Sequence, residues 1–105
     1  MTLQKFSGNL QKEIVGKKGI LIVKYFATWC GPCKLLAPIV EQVSNERKEI
    51  QFIEVDVDQH TEAAIHFNVM SVPTVIVLKD GQEKGRMQGY VPKEEFKKRL
   101  ETFLK

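Results

Sequence analysis

The stretch Ala27-Thr28-Trp29-Cys30-Gly31-Pro32-Cys33-Lys34 decides how the rest of the chain is read. It holds the only 2 cysteines of the 105-residue sequence. Two residues separate them, so their sulfurs can close a small ring within the distance window that a disulfide requires. Ahead of the stretch, Ile20-Leu21-Ile22-Val23-Lys24-Tyr25-Phe26 is rich in β-branched and aromatic residues and reads as a strand. Behind it, Leu36, Ile39, Val40 and Val43 recur at helical spacing. The motif therefore sits where a strand hands over to a helix, with Cys30 at or near the helix N-terminus. Unpaired N–H groups and the helix dipole favour an anion there, which lowers the pKa of a Cys30 thiol. Pro32 is tolerated in the first turn, where its missing N–H has no partner to lose. The implied chemistry is a disulfide made and broken at the front of a helix.

Composition narrows the possibilities further. A chain of 105 residues, 43% apolar and 28% charged, matches a single globular domain with one core. The net charge of +3 is modest, and the lysines form no stripe interleaved with aromatics. Nucleic-acid binding is not expected on that basis. The start Met1-Thr2-Leu3-Gln4-Lys5 lacks the apolar core of a signal peptide. The run Ile20 to Val23 is too short to span a membrane. Both cysteines belong to the motif and none is left for structural bridges, which fits a reducing compartment, with the cytoplasm as the default.

Along the chain, Thr2 to Phe6 reads as a short first strand. Asn9 or Ser7 then caps a helix to about Val15, with Leu10, Ile14 and Val15 facing inward. Gly16 to Gly19 is a turn, and the strand Ile20–Phe26 is apolar on both faces, as in the middle of a covered sheet. The helix after the motif runs to about Lys48, bent at Pro38. Gln51 to Val57 is a third strand, and Thr61 to Phe67 a short helix capped by Thr61 or Asp58. Val75 to Leu78 and Glu83 to Gln88 form a hairpin about Asp80-Gly81, ended by Gly89. Pro92 opens a last helix with Phe96, Leu100, Phe103 and Leu104 on one face. The order βαβαβαββα predicts an α/β fold with a mixed sheet and helices on both faces.

Trp29 to Lys34, Trp-Cys-Gly-Pro-Cys-Lys, resembles the active-site signature of the thioredoxin family. The likeness extends over essentially the whole chain, through Pro38, Phe52 to Asp58, Val72-Pro73-Thr74, Lys79-Asp80-Gly81 and Gly89. It implies a thioredoxin fold over residues 1–105, a protein-disulfide reductase activity and no cofactor or metal. It also implies a monomer whose partners are disulfide-containing proteins and a thioredoxin reductase. The exposed thiol, taken to be Cys30, attacks a substrate disulfide, and Cys33 resolves the mixed disulfide.

The same resemblance assigns a substrate surface. Trp29, Gly31 and Pro32 lie around the disulfide, with Trp29 presenting a flat apolar face. Pro73 is expected in cis facing the disulfide, with the backbone of Val72 pairing with an extended substrate, and Gly89 at the far edge of the groove. One position departs from the family. Lys24 stands where thioredoxins place a buried aspartate, and Glu54 stands where many carry a lysine. The expected pair is thus reversed in polarity, with Glu54 as a candidate proton acceptor. The alternative is that Lys24 reaches solvent along its stem and does nothing.

Other functions remain to be weighed. His60 and His66 have ligand-like spacing, yet the gap from Cys33 to His60 far exceeds that of a zinc finger. Both read as solvated residues of a surface helix. Gly-Pro between the cysteines points to the reducing end of the superfamily. The runner-up is a disulfide isomerase or oxidase domain, and a scaffold module that keeps only the fold comes third, weakened by the presence of both cysteines.

Overall fold

The computed structural model describes residues 3–105, so the Thr2 end of the expected first strand lies outside the described residues. The strands are β1 (Leu3–Lys5), β2 (Ile20–Phe26), β3 (Gln51–Asp56), β4 (Thr74–Lys79) and β5 (Gln82–Gln88). The helices are α1 (Gly31–Glu46), α2 (Thr61–His66) and α3 (Lys93–Leu104), preceded by a helical turn at Gln11–Val15. The sheet order is β1-β3-β2-β4-β5. β1 and β2 flank β3 in parallel, whereas β4 runs antiparallel to both β2 and β5. The mixed sheet is the expected one.

Alternation along β2 sorts the core into two layers, because successive side chains of a strand point to opposite faces. Ile22 joins Phe52, Val75 and Val77 under Leu36, Val40 and Val43 of α1 and Phe96 and Leu100 of α3. Leu21, Val23 and Tyr25 join Ile53, Val55 and Ile76 against Ile14 and, from α2, Ala63 and Ala64. Each fully buried aliphatic side chain stabilises the fold by about 1.5–3 kcal/mol. Both faces of the central strands are therefore dry, and any charge placed there needs a partner.

The helical turn differs from the α-helix expected after β1. Its closing bond runs from Gly16 N–H to the Gln11 carbonyl (2.7 Å), a five-residue step that widens the coil into a π turn. Its start is well capped. Asn9 Oδ1 accepts the Lys12 N–H at 2.9 Å, while the Glu13 carboxylate accepts from the Ser7 N–H, the Ser7 hydroxyl and the Asn9 N–H. Burial pushes the Glu13 carboxyl up, but these donors outweigh it and hold it below the usual range.

Elsewhere the boundaries move by a residue or two. α1 ends at Glu46, short of Lys48, where Arg47 turns its guanidinium to Glu49 and Glu101. The helix continues through Pro38, which cannot donate to the Lys34 carbonyl. Asp80 and Gly81 both adopt positive φ (51° and 83°), the conformation a two-residue hairpin turn needs. Arg86 on β5 anchors the end of α2, donating to the Phe67 carbonyl (2.8 Å) and to the Glu83 carboxylate (2.6 and 2.7 Å).

Candidate active site

The C-terminal end of β2 delivers the chain to the motif, and Cys30 becomes the N-cap of α1 with extended backbone (φ −88°, ψ 114°). Its sulfur takes the role a serine or aspartate oxygen plays at other helix starts. Cys30 Sγ accepts the Cys33 N–H at 3.2 Å and lies 3.6 Å from the Val72 carbonyl oxygen. The two sulfurs are bonded, with Cα atoms 5.3 Å apart. Gly31 and Pro32 are exposed in the first turn, and space around Gly31 is open. One expectation is corrected here. Exposure does not single out Cys30, since both cysteines are 4% exposed. What separates them is position: Cys30 caps the helix, whereas Cys33 lies inside it and faces inward.

Beneath Cys33, the register of the sheet places Lys24 beside Glu54 on β3 and Val75 on β4. Lys24 Nζ is 3.4 Å from Glu54 Oε2, and their side chains are 6% and 17% exposed. The ammonium also lies 5.2 Å from the Phe26 ring centroid, a cation–π distance. Lys24 therefore does not reach solvent. A buried ammonium without a counter-ion costs several kcal/mol, and Glu54 supplies that counter-ion. Lys24, Glu54 and Cys33 line one cavity of about 280 Å³. The reversed pair and the inner sulfur thus line the same shallow cavity.

On the outer side, Trp29 is 70% exposed, and its indole N–H donates to Asp58 Oδ2 at 2.9 Å. Asp58 was a candidate cap for α2, but the N-cap is His60, with no side-chain cap bond. The indole has taken the Asp58 carboxylate. Nothing in the local sequence marks that pairing beyond an indole N–H in search of an acceptor. His60 is half-buried, edge-on to Phe6, rather than solvated as expected, while His66 is exposed. The Val72–Pro73 bond is cis, as anticipated. Gly89, at φ 82°, donates its N–H to the Pro73 carbonyl at 2.8 Å and so ties the end of β5 to this segment.

Trp29, Val57, Ala64, Val69, Met70 and Val72 line a mainly apolar groove of about 390 Å³ next to Cys30. Its back wall is held by Tyr25, whose buried hydroxyl donates to the Ala63 carbonyl at 3.1 Å. Burial pushes the Tyr25 phenol well up, so it remains a neutral donor.

A dithiol capping a helix, with an apolar groove on one side and a buried ion pair behind it, is equipped to exchange disulfides with other molecules. The class is that of thiol–disulfide oxidoreductases. Comparison with known proteins is specific: the family model Thioredoxin matches residues 1–102. The chain belongs to the thioredoxin family.

Among its relatives, a thioredoxin of Mycoplasma genitalium is 43% identical over 82 residues, 78% of this chain and 80% of that protein. A thioredoxin of Staphylococcus saprophyticus is 36% identical over 105 residues, 99% of this chain and 95% of that one. A thioredoxin-like protein of Synechocystis is 34% identical over 99% of this chain and 100% of its own length. The chain is a dithiol carrier that reduces disulfides in other proteins through Cys30 and Cys33. Among the described residues, no helix is long and apolar enough to cross a membrane.

Proposed function

We propose that Cys30 is the attacking thiol and Cys33 the resolving one. The observation that carries this reading is the position of Cys30 Sγ at the helix N-cap, 3.2 Å from an N–H donor. A thiolate there is stabilised by the donor and the dipole together. Cys30 attacks one sulfur of a substrate disulfide and expels the other as a thiolate. Cys33 then attacks Cys30 Sγ, the second substrate sulfur leaves, and two electrons have passed to the substrate. Glu54 takes the proton from Cys33 and Lys24 holds the carboxylate in place, a role supported by their shared cavity. The Lys24 charge favours a nearby thiolate, which shifts the pair toward the oxidising end.

Substrate lies as an extended segment against Val72 and Pro73, bounded by Trp29, Gly31, Pro32 and Gly89. The chain works as one domain over residues 1–105 and as a monomer in the cytoplasm, recharged by a thioredoxin reductase. It calls on no nucleic acid or membrane, a reading supported by its modest, dispersed charge. Trapping tests the assignment of the thiols. Cys33→Ser should accumulate stable mixed disulfides with protein substrates, and Cys30→Ser few. Preferential alkylation of Cys33 in the reduced protein would reverse the two roles.

A further inference from the structure

Met70 is 82% exposed and belongs to the wall of the groove beside Cys30, two residues before Val72. The other described methionine, Met87, is 1% exposed and sealed in the core. A thioether is a good apolar contact because it is polarizable and flexible. It is also the one group in this groove that a peroxide converts to a polar one. The sulfur lone pair attacks one peroxide oxygen, the O–O bond breaks and an S–O bond forms. The second oxygen leaves as water, after proton transfer, when the oxidant is hydrogen peroxide. Sulfur is oxidised by two electrons and the peroxide is reduced by two.

We propose that Met70 is an oxidation site through which peroxide weakens the docking of protein substrates without touching the dithiol chemistry. The inference rests on the reading that the groove is where substrate docks. The groove is lined by Trp29, Val57, Ala64, Val69 and Val72 with a single hydroxyl, that of Ser71, and the indole N–H already serves Asp58. A docked apolar side chain therefore meets a dipole it cannot satisfy. Cys30 does not line this groove, and its Sγ keeps the Cys33 N–H.

The test begins with the protein in its disulfide form, so that both cysteines are protected, and treats it with hydrogen peroxide. Peptide mass mapping should find sulfoxide at Met70 and none at Met87. After reduction, kcat/KM for insulin disulfides should fall about fourfold, the loss of roughly one methylene-sized apolar contact. The rate with hydroxyethyl disulfide should be unchanged, and a methionine sulfoxide reductase should restore the loss. Met70→Leu should resist, which separates Met70 from any oxidation at Met1. Full Met70 sulfoxide with unchanged insulin reduction, while Trp29→Ala still lowers it, overturns the inference and leaves the groove reading standing. If Trp29→Ala is also without effect, the groove reading falls with it. A loss on peroxide treatment that persists in Met70→Leu likewise overturns the assignment.

Discussion

Lys24 Nζ and Glu54 Oε2 meet at 3.4 Å on neighbouring parallel strands, and the lysine is the more deeply buried partner, at 6% side-chain exposure against 17%. That asymmetry fixes the order of cost when the pair is broken. Glu54→Gln strands the deeper ion and should destabilise by about 3 kcal/mol. Lys24→Met leaves a carboxylate with some access to water and a methionine that packs the stem, and should cost less. The double variant should fall short of the sum by about 1–3 kcal/mol. A double-mutant cycle in urea measures it, and strict additivity would mean the two charges do not support each other.

Kinetics read the same pair differently. On the proposal that Glu54 accepts the Cys33 proton, Glu54→Gln should slow resolution of a mixed disulfide near neutral pH by about tenfold or more. The defect should shrink as pH rises and the thiol ionises unaided. Rapid mixing of reduced protein with a substrate disulfide across pH gives the rate. A Glu54→Gln profile that overlays the parent removes the carboxylate from the mechanism.

Trp29 and Asp58 make a second pair, tied by an indole hydrogen bond of 2.9 Å on an exposed surface. Asp58→Ala should change stability by less than about 1 kcal/mol, since an exposed bond has little net worth. It should nevertheless free the indole and reduce kcat/KM for protein disulfides about two- to fivefold, while small disulfides are reduced as before. Trp29 is the only tryptophan, so its fluorescence reports the release directly. An unaltered emission spectrum would mean that other contacts fix the ring.

Acid should loosen the groove from behind. The Arg86 guanidinium holds the Glu83 carboxyl below its ordinary value of 4.5. A carboxyl whose pKa is depressed in the folded state contributes stability above its unfolded value, and loses that contribution as pH falls through the folded one. At neutral pH the parent should exceed Glu83→Gln by under about 1 kcal/mol, because both side chains are partly exposed. The difference should vanish once pH drops below the Glu83 value. Urea melts at the two extremes check it. A gap that persists in acid would trace to packing rather than charge.

Much of this fold could be read from residue order because local chemistry agrees with the global result. Ile20 to Phe26 is a strand by composition, Gly31-Pro32 starts a helix, and Asp80-Gly81 turns a hairpin. The features that escaped are those set by tertiary contact. The π turn at Gly16 depends on which carbonyl its N–H finds. Asp58 could cap a helix or hold an indole, and only the approach of Trp29 decides. Equal burial of Cys30 and Cys33 follows from Phe26, Val57 and Val72 packing against them, which no spacing announces. Lys24 and Glu54 were legible as a pair only through family position. Their contact itself comes from the β2–β3 register.

Cys33 meets Cys30 Sγ twice, as covalent partner through its side chain and as donor through its N–H at 3.2 Å. The residue that closes one redox state therefore supplies the backbone group that steadies the other. Opening the bond asks for rotation of two side chains, and α1 need not shift to keep its amide on the sulfur. Oxidised and reduced forms can thus offer nearly the same outer face to their partners. Donor and acceptor of electrons must then take turns on one surface, and a partner that lingers there blocks the next. Slow departure of either partner would then limit throughput as surely as slow chemistry between the sulfurs.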